Sequence, residues 1–239
     1  MKTGLLCLLF LFVHTSFALA DDIVRIPEKG NSVTGYIGCE PNVSSCESSD
    51  VKTESIPAFY IQMHEVTVGE YLTCIDQKKC KAPADSYILD DLKTMASNMP
   101  ATLPYDEAAA YCEAQGMRLP AMQQYLAAAM GESVQRYTWG DTYVETSAAP
   151  GLAVLIGKSK LSEVMQFPKD QNSGVYDLCG NACEWVESEL DGAYSPDSGY
   201  KCGPDSRTRV CLGASPVPLY QQIRLIHTDR VPFRCVREL

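Results

Sequence analysis

The chain has 239 residues with a formal net charge of −10 and no basic stripe, which makes nucleic acid and anionic membrane surfaces poor partners. Its length suits one large domain with a substantial core of its own. The cysteine content, 11 in all, points to an oxidising compartment once the first segment is considered.

That first segment has the parts of an export signal. Lys2 gives a short positive region, Leu5 to Val13 is apolar without a break, and Ala18-Leu19-Ala20 is a small-residue cleavage site. The apolar run is well short of the ~20 residues needed to cross a bilayer, so no membrane span is expected. The predicted organisation is a signal peptide over residues 1–20 and one domain over 21–239, periplasmic or secreted. Cleavage removes Lys2 and takes the charge from −10 to −11; it also removes Cys7, and 11 − 1 = 10 cysteines is the even number expected of disulfides. Zinc–thiolate chemistry is not expected, because His64 and His227 lie far apart and no C-x2-C cluster accompanies them.

Ser32 to Ile37 reads as an early strand, Asn42 to Thr53 as linker, and Ile56 to Met63 as a stronger strand rich in aromatic and β-branched residues. Thr67-Val68-Gly69-Glu70 has capping-box spacing and predicts a helix through Tyr71, Leu72 and Ile75. A second helix is predicted from Pro104, with Tyr105, Ala108, Ala109 and Cys112 on one face, ending at Gly116. A third spans Ala121 to Met130, with Gly131 as its C-cap. Beyond it the chain is rich in Gly, Pro, Asp and Ser, with short apolar runs at Thr208 to Leu212 and Val231 to Val236. Long ordered loops lose entropy without burying much apolar area, so disulfides or bound cations are expected as staples.

Six blocks then occur in a telling order. They are Phe59-Tyr60-Ile61-Gln62-Met63-His64-Glu65-Val66-Thr67, Leu103-Pro104-Tyr105-Asp106-Glu107-Ala108, Gly116-Met117-Arg118-Leu119-Pro120, Tyr137-Thr138-Trp139-Gly140-Asp141, Gly174-Val175-Tyr176-Asp177-Leu178-Cys179-Gly180-Asn181-Ala182-Cys183-Glu184-Trp185-Val186 and Pro232-Phe233-Arg234-Cys235-Val236-Arg237. Together they resemble the formylglycine-generating (sulfatase-modifying factor) family from about residue 23 to the C-terminus. The resemblance implies a compact α+β fold, related to C-type lectin-like domains, with little regular structure. It also implies a disulfide between Cys112 and Cys235. For the remaining cysteines, proximity favours Cys39 with Cys46, Cys74 with Cys80, Cys202 with Cys211, and Cys179 with Cys183. An i, i+4 bridge needs special geometry, so pairing of Cys179 or Cys183 with Cys202 or Cys211 is an alternative.

Active relatives oxidise a substrate cysteine with two cysteines that hold copper(I), placed after a Gly-Gly-Ser-Trp-like turn. The nearest match to that turn is Gly213-Ala214-Ser215-Pro216, and Val217 to Arg230 contains no cysteine. Soft thiolates select copper(I), so copper is not expected; Cys202 and Cys211 stand before the turn and read as a structural bridge. A family calcium site maps onto Asp177, Gly180, Ala182 and Glu184, where two carboxylates with carbonyls between them suit a hard cation. A second, between Asp141 and Glu163, lacks the expected Asn and Asp.

Trp139 and Trp185 read as core anchors, and Arg118 and Arg234 as buried donors to loop carbonyls. His64 beside Glu65 and His227 near Asp229 have no Gly-x-Ser-x-Gly elbow or reachable cysteine nucleophile and read as surface or core histidines. Asn42-Val43-Ser44 is a glycosylation sequon. The functional expectation is a non-catalytic binding or regulatory module, similar to periplasmic accessory regulators of type VI secretion and acting through a protein partner in the envelope. The alternative is a cysteine-oxidising enzyme or related metal-dependent oxidase.

Overall fold

The computed structural model describes residues 22–27, 29–36, 51–130, 138–140, 161–189, 209–213, 224–226 and 230–239. Strands β1 (Ile23–Ile26), β2 (Lys29–Tyr36), β3 (Val51–Ile56) and β4 (Phe59–Gln62) come first, and β2 pairs antiparallel with β3. The stretch read as linker thus already enters a strand at Val51. The strand expected over Ile56 to Met63 is split between β3 and β4. Pro57, which has no N–H to give a ladder, stands at the break.

Helix α1 (Val68–Asp76) starts as its sequence signal dictates. Thr67 accepts the Glu70 N–H at 3.2 Å, and Glu70 Oε2 accepts the Thr67 N–H at 2.7 Å. Helix α2 (Ser86–Leu92) was not expected; the Asp85 side chain caps it by accepting the Tyr87 N–H at 3.0 Å. Helix α3 (Tyr105–Ala114) follows Pro104, and Gly116 leaves it at φ +70°, a conformation for which glycine is suited. Helix α4 is Met122–Met130; its expected Gly131 cap lies outside the described residues.

The second half supplies β5 (Gln171–Asn172) and β6 (Val175–Tyr176), which pair with each other, then β7 (Cys183–Glu189), β8 (Arg209–Gly213) and β9 (Arg224–Ile226) in one antiparallel sheet, and finally β10 (Val236–Glu238). β10 returns to β4, so the order β1-β4-β10 brings both ends of the domain onto one central strand. No helix among the described residues is long and apolar enough to cross a membrane.

Two apolar clusters flank the segment that leads into β10. One joins Ile26, Phe59 and Ile61 of the sheet to Tyr125 and Leu126 of α4 and to Leu178 and Val186. The other joins α1, α2 and α3 through Tyr71, Leu92 and Tyr111 to Trp185 and Phe233. There Tyr71, Tyr111 and Phe233 form a chain of tilted and edge-on rings with centroids 5.7 and 5.5 Å apart. The disulfide between Cys112 and Cys235, 123 positions apart, ties α3 to this segment, and a second joins Cys74 to Cys80 at the end of α1.

Candidate functional site

Arg234 lies between the two clusters and is fully buried. Its guanidinium grips Glu184 on two sides, Nε to Oε2 at 2.6 Å and Nη2 to Oε1 at 2.7 Å. It also donates to the carbonyls of Tyr176 at 2.9 Å and of Gln62 and Met63 at 3.3 Å. One planar fork therefore donates to backbone carbonyls at the end of β4, just after it and in β6, and the Met63 carbonyl also accepts the Tyr176 N–H at 2.8 Å. Gln62 Oε1 accepts the Cys235 N–H at 2.7 Å, locking the same segment from the other side.

Four buried carboxyl groups surround this guanidinium: Glu65, Asp170, Asp177 and Glu184. Glu184 is served by Arg234 and by the Tyr125 hydroxyl, 3.3 Å from Oε1. The other three each keep an oxygen without a hydrogen-bond partner: Glu65 Oε2, Asp170 Oδ2 and Asp177 Oδ1. Glu65 Oε2 is 3.9 Å from Arg234 Nη2, and Glu65 Oε1 accepts from Asn181 at 3.1 Å. Asp177, held at φ +59°, accepts the Met165 N–H at 2.6 Å through Oδ2, and Asp170 accepts from Thr138 at 2.5 Å.

Burial raises the pKa of all four, and the charges of Asp177 and Glu184 lift Glu65 further. Asp170 is pushed up to about 7, mainly by burial, with the Thr138 hydrogen bond opposing. Burial raises Glu184 too, and the charge of Arg234 opposes that rise. Burial also opposes the charge on Arg234, but Glu184 and then Glu65 hold its pKa above the ordinary arginine value.

Of the residues expected to hold calcium, Asp177, Gly180 and Glu184 are buried and Ala182 is half-buried. Asp177 Oδ1 has no geometric hydrogen-bond partner, although the Glu65 carboxyl is near enough to share a proton with Asp177, and Glu184 Oε2 takes one hydrogen bond out of the two its lone pairs allow. The donor chemistry fits a hard cation. Glu65 and Asp170 were missed as neighbours of this loop, and nothing in the local sequence could have placed them there. Trp185 is a core anchor, donating to the Leu103 carbonyl at 2.8 Å, and Trp139 packs on the first cluster. Arg118 does donate to a backbone carbonyl, that of Leu119 at 2.9 Å, but its expected burial is corrected: the side chain is 37% exposed and also pairs with Glu187 and Glu238.

The proximity pairing of Cys179 with Cys183 is also corrected. Cys183 is disulfide-bonded, whereas Cys179 is a buried thiol. Cys179 belongs to the first cluster and Cys183 packs against the second, and the described residues do not include the bridge of Cys183. Cys211 stands opposite Trp185 in the β7–β8 ladder. Cys39, Cys46 and Cys202, the signal peptide, the sequon and His227 lie outside the described residues.

Against known proteins, residues 18–239 match the model of the sulfatase-modifying factor enzyme 1-like domain. Two relatives named inactive C-alpha-formylglycine-generating enzyme 2 align over 119 residues: the Mus musculus protein at 35% identity, covering 46% of this chain and 35% of the relative, and the Bos taurus protein at 31%, covering 46% and 36%. This chain therefore spans about a third of the length of the curated relatives it matches. Among solved structures, PvdO from Pseudomonas aeruginosa superposes with a TM-score of 0.63 at 19% identity, covering 91% of this chain and 94% of that one. Treponema denticola variable protein 1 gives 0.62 at 17%, covering 91% and 95%. CarF gives 0.58 at 16%, covering 91% and 98%. At these identities the structures speak for the fold alone.

Proposed function

The chain belongs to the sulfatase-modifying factor enzyme 1-like family, and from that membership we propose that it is an exported, non-catalytic member that works by binding a protein partner in the cell envelope. The observation that carries this reading is the absence of any cysteine from Val217 to Arg230, where active relatives keep their copper(I) ligands. The mouse and bovine relatives, both named as inactive, support it. The role resembles that of periplasmic accessory regulators of type VI secretion, on a scaffold related to C-type lectin-like domains. A fold can keep its loop-built surface and lose its reaction centre, because function resides in the site.

Calcium belongs to the same proposal. Asp177 and Glu184 would hold it with the carbonyls of Gly180 and Ala182, and the unpartnered oxygen of Asp177 supports this. The ion would neutralise buried negative charge and brace the loop before β7; no chemical step is assigned to it.

The test is copper(I) titration of the purified protein together with turnover of a cysteine-bearing peptide. Neither stoichiometric copper uptake nor an aldehyde product is expected. Uptake by a reduced pair such as Cys202 and Cys211, or formation of the aldehyde, would make the protein an oxidase instead. Co-purification from the native envelope in calcium and then in chelator tests the partner and the ion together. A partner retained in chelator while thermal stability falls makes the ion purely structural.

A further inference from the structure

Asp22, His64 and Glu70 each bring one ligand atom to a single point, all within 4.8 Å of one another. They come from three rigid places: the residue before β1, the turn after β4, and the first turn of α1. Asp22 is fixed through its carbonyl, which accepts the Met63 N–H at 2.7 Å. Glu70 is fixed by the capping box, which uses Oε2 on Thr67 and leaves Oε1 to point elsewhere. The His64 ring is buried, and its Nδ1 lies 2.7 Å from the Glu65 carbonyl. A carbonyl can only accept, so Nδ1 carries a proton, and in the neutral ring that leaves the lone pair on Nε2. A backbone carbonyl on one imidazole nitrogen is the arrangement that orients a histidine for metal binding through the other.

We propose that Asp22, His64 and Glu70 form a site for a zinc-class divalent transition ion, separate from the buried acidic loop site. One imidazole and two carboxylates are borderline-to-hard donors, which suits zinc or manganese better than copper(I) or calcium. Two negative charges beside a neutral imidazole match a doubly charged ion. In a tetrahedral zinc site the ligand atoms stand about 3.3 Å apart, given bond lengths near 2.0 Å. Ion binding would therefore draw in the half-buried Asp22 and Glu70 side chains, Glu70 through the oxygen that the capping box does not use. Three protein ligands leave a fourth position open to water. The ion would clip the first strand to α1, a cross-link that no disulfide among the described residues provides.

The test uses the purified full protein, stripped with chelator and titrated with zinc by calorimetry in the presence of saturating calcium. One zinc per chain is expected, and calcium should not compete. Asp22→Asn, His64→Ala and Glu70→Gln should each weaken zinc binding by at least ~10–100-fold. Glutamine can still close the capping box, so Glu70→Gln should keep the fold while losing affinity. Hydrogen exchange in β1 should slow with zinc in the wild type and not in His64→Ala. Cobalt substitution should give the strong visible absorption of a four-coordinate site. Absence of stoichiometric zinc binding by the folded wild type overturns the proposal, as does binding unchanged in both Asp22→Asn and His64→Ala.

Discussion

Replacing Arg234 by methionine tests the centre of the domain directly. Methionine roughly preserves length and packing but removes the two-sided grip on Glu184 and the donors to Gln62, Met63 and Tyr176. Breaking a buried pair by deleting one partner costs about 3–5 kcal/mol, because the other charge is left without compensation. The Gln62 and Tyr176 carbonyls add about 1 kcal/mol or more each, whereas that of Met63 keeps the Tyr176 N–H. The sum approaches the about 5–15 kcal/mol that holds a typical domain together. Arg234→Met should therefore be mostly unfolded at neutral pH without calcium, and partly rescued at lower pH as the stranded carboxyl groups take up protons. The double variant Arg234→Met with Glu184→Leu removes the stranded charge and should recover much of the pair's share, leaving the carbonyl loss. Urea titration followed by fluorescence reports this, because Trp185 is buried beside Glu184. A loss under about 1 kcal/mol for the single variant, or a double variant no better than the single, would refute the assignment of Arg234 as the organising cation.

Other perturbations separate the remaining supports. Replacing Cys112 and Cys235 together by alanine frees a loop between positions 123 apart and should cost about 5 kcal/mol in the chain-entropy model, read as a lower urea midpoint. Thr67→Ala breaks the capping box and should cost ~1 kcal/mol, measured by the same titration. Asp170 binds its proton more tightly folded than unfolded, so calcium-free stability should fall as pH rises from about 4 to about 7 and level off above, by up to about 1.4 kcal/mol per unit for this group. Asp170→Asn should flatten that slope; an unchanged slope would remove Asp170 as a contributor.

What the sequence disclosed was local. Thr67 and Glu70 lie three apart and announce α1 without help from the rest of the chain, and the Pro104 and Gly116 signals bracket α3 in the same way. The short α2 was missed because Asp85 caps only two turns, too few for an apolar period to show. The β1-β4-β10 sheet was illegible for another reason, since Gln62 and Cys235 meet across 173 positions and no periodicity encodes that pairing. The site divides along the same line. Asp177 and Glu184 sit in one motif and could be singled out together, whereas Glu65 and Asp170 reach it only through the fold. Arg118 was misplaced because its motif signals a structural role without saying on which side of the surface the guanidinium ends. His64 looked inert beside Glu65 because its companions, Asp22 and Glu70, are brought to it by β1 and α1.

The polar centre also links stability to solution conditions. Arg234 ties carbonyls of β4, of the residue after it and of β6 together, and Glu184 compensates its buried charge. Glu65, Asp170 and Asp177 add negative charge beyond what the guanidinium neutralises, and each keeps an oxygen unmet. Protons can supply the missing positive charge, and the proposed calcium would compete with them for the same carboxylates. Calcium affinity at Asp177 and Glu184 should therefore rise with pH through the range in which the cluster loses its protons, approaching tenfold per unit for each proton displaced. Calorimetry in two buffers of different ionisation enthalpy counts those protons. Binding that releases none would show that the cation and the raised carboxyl groups do not share one site.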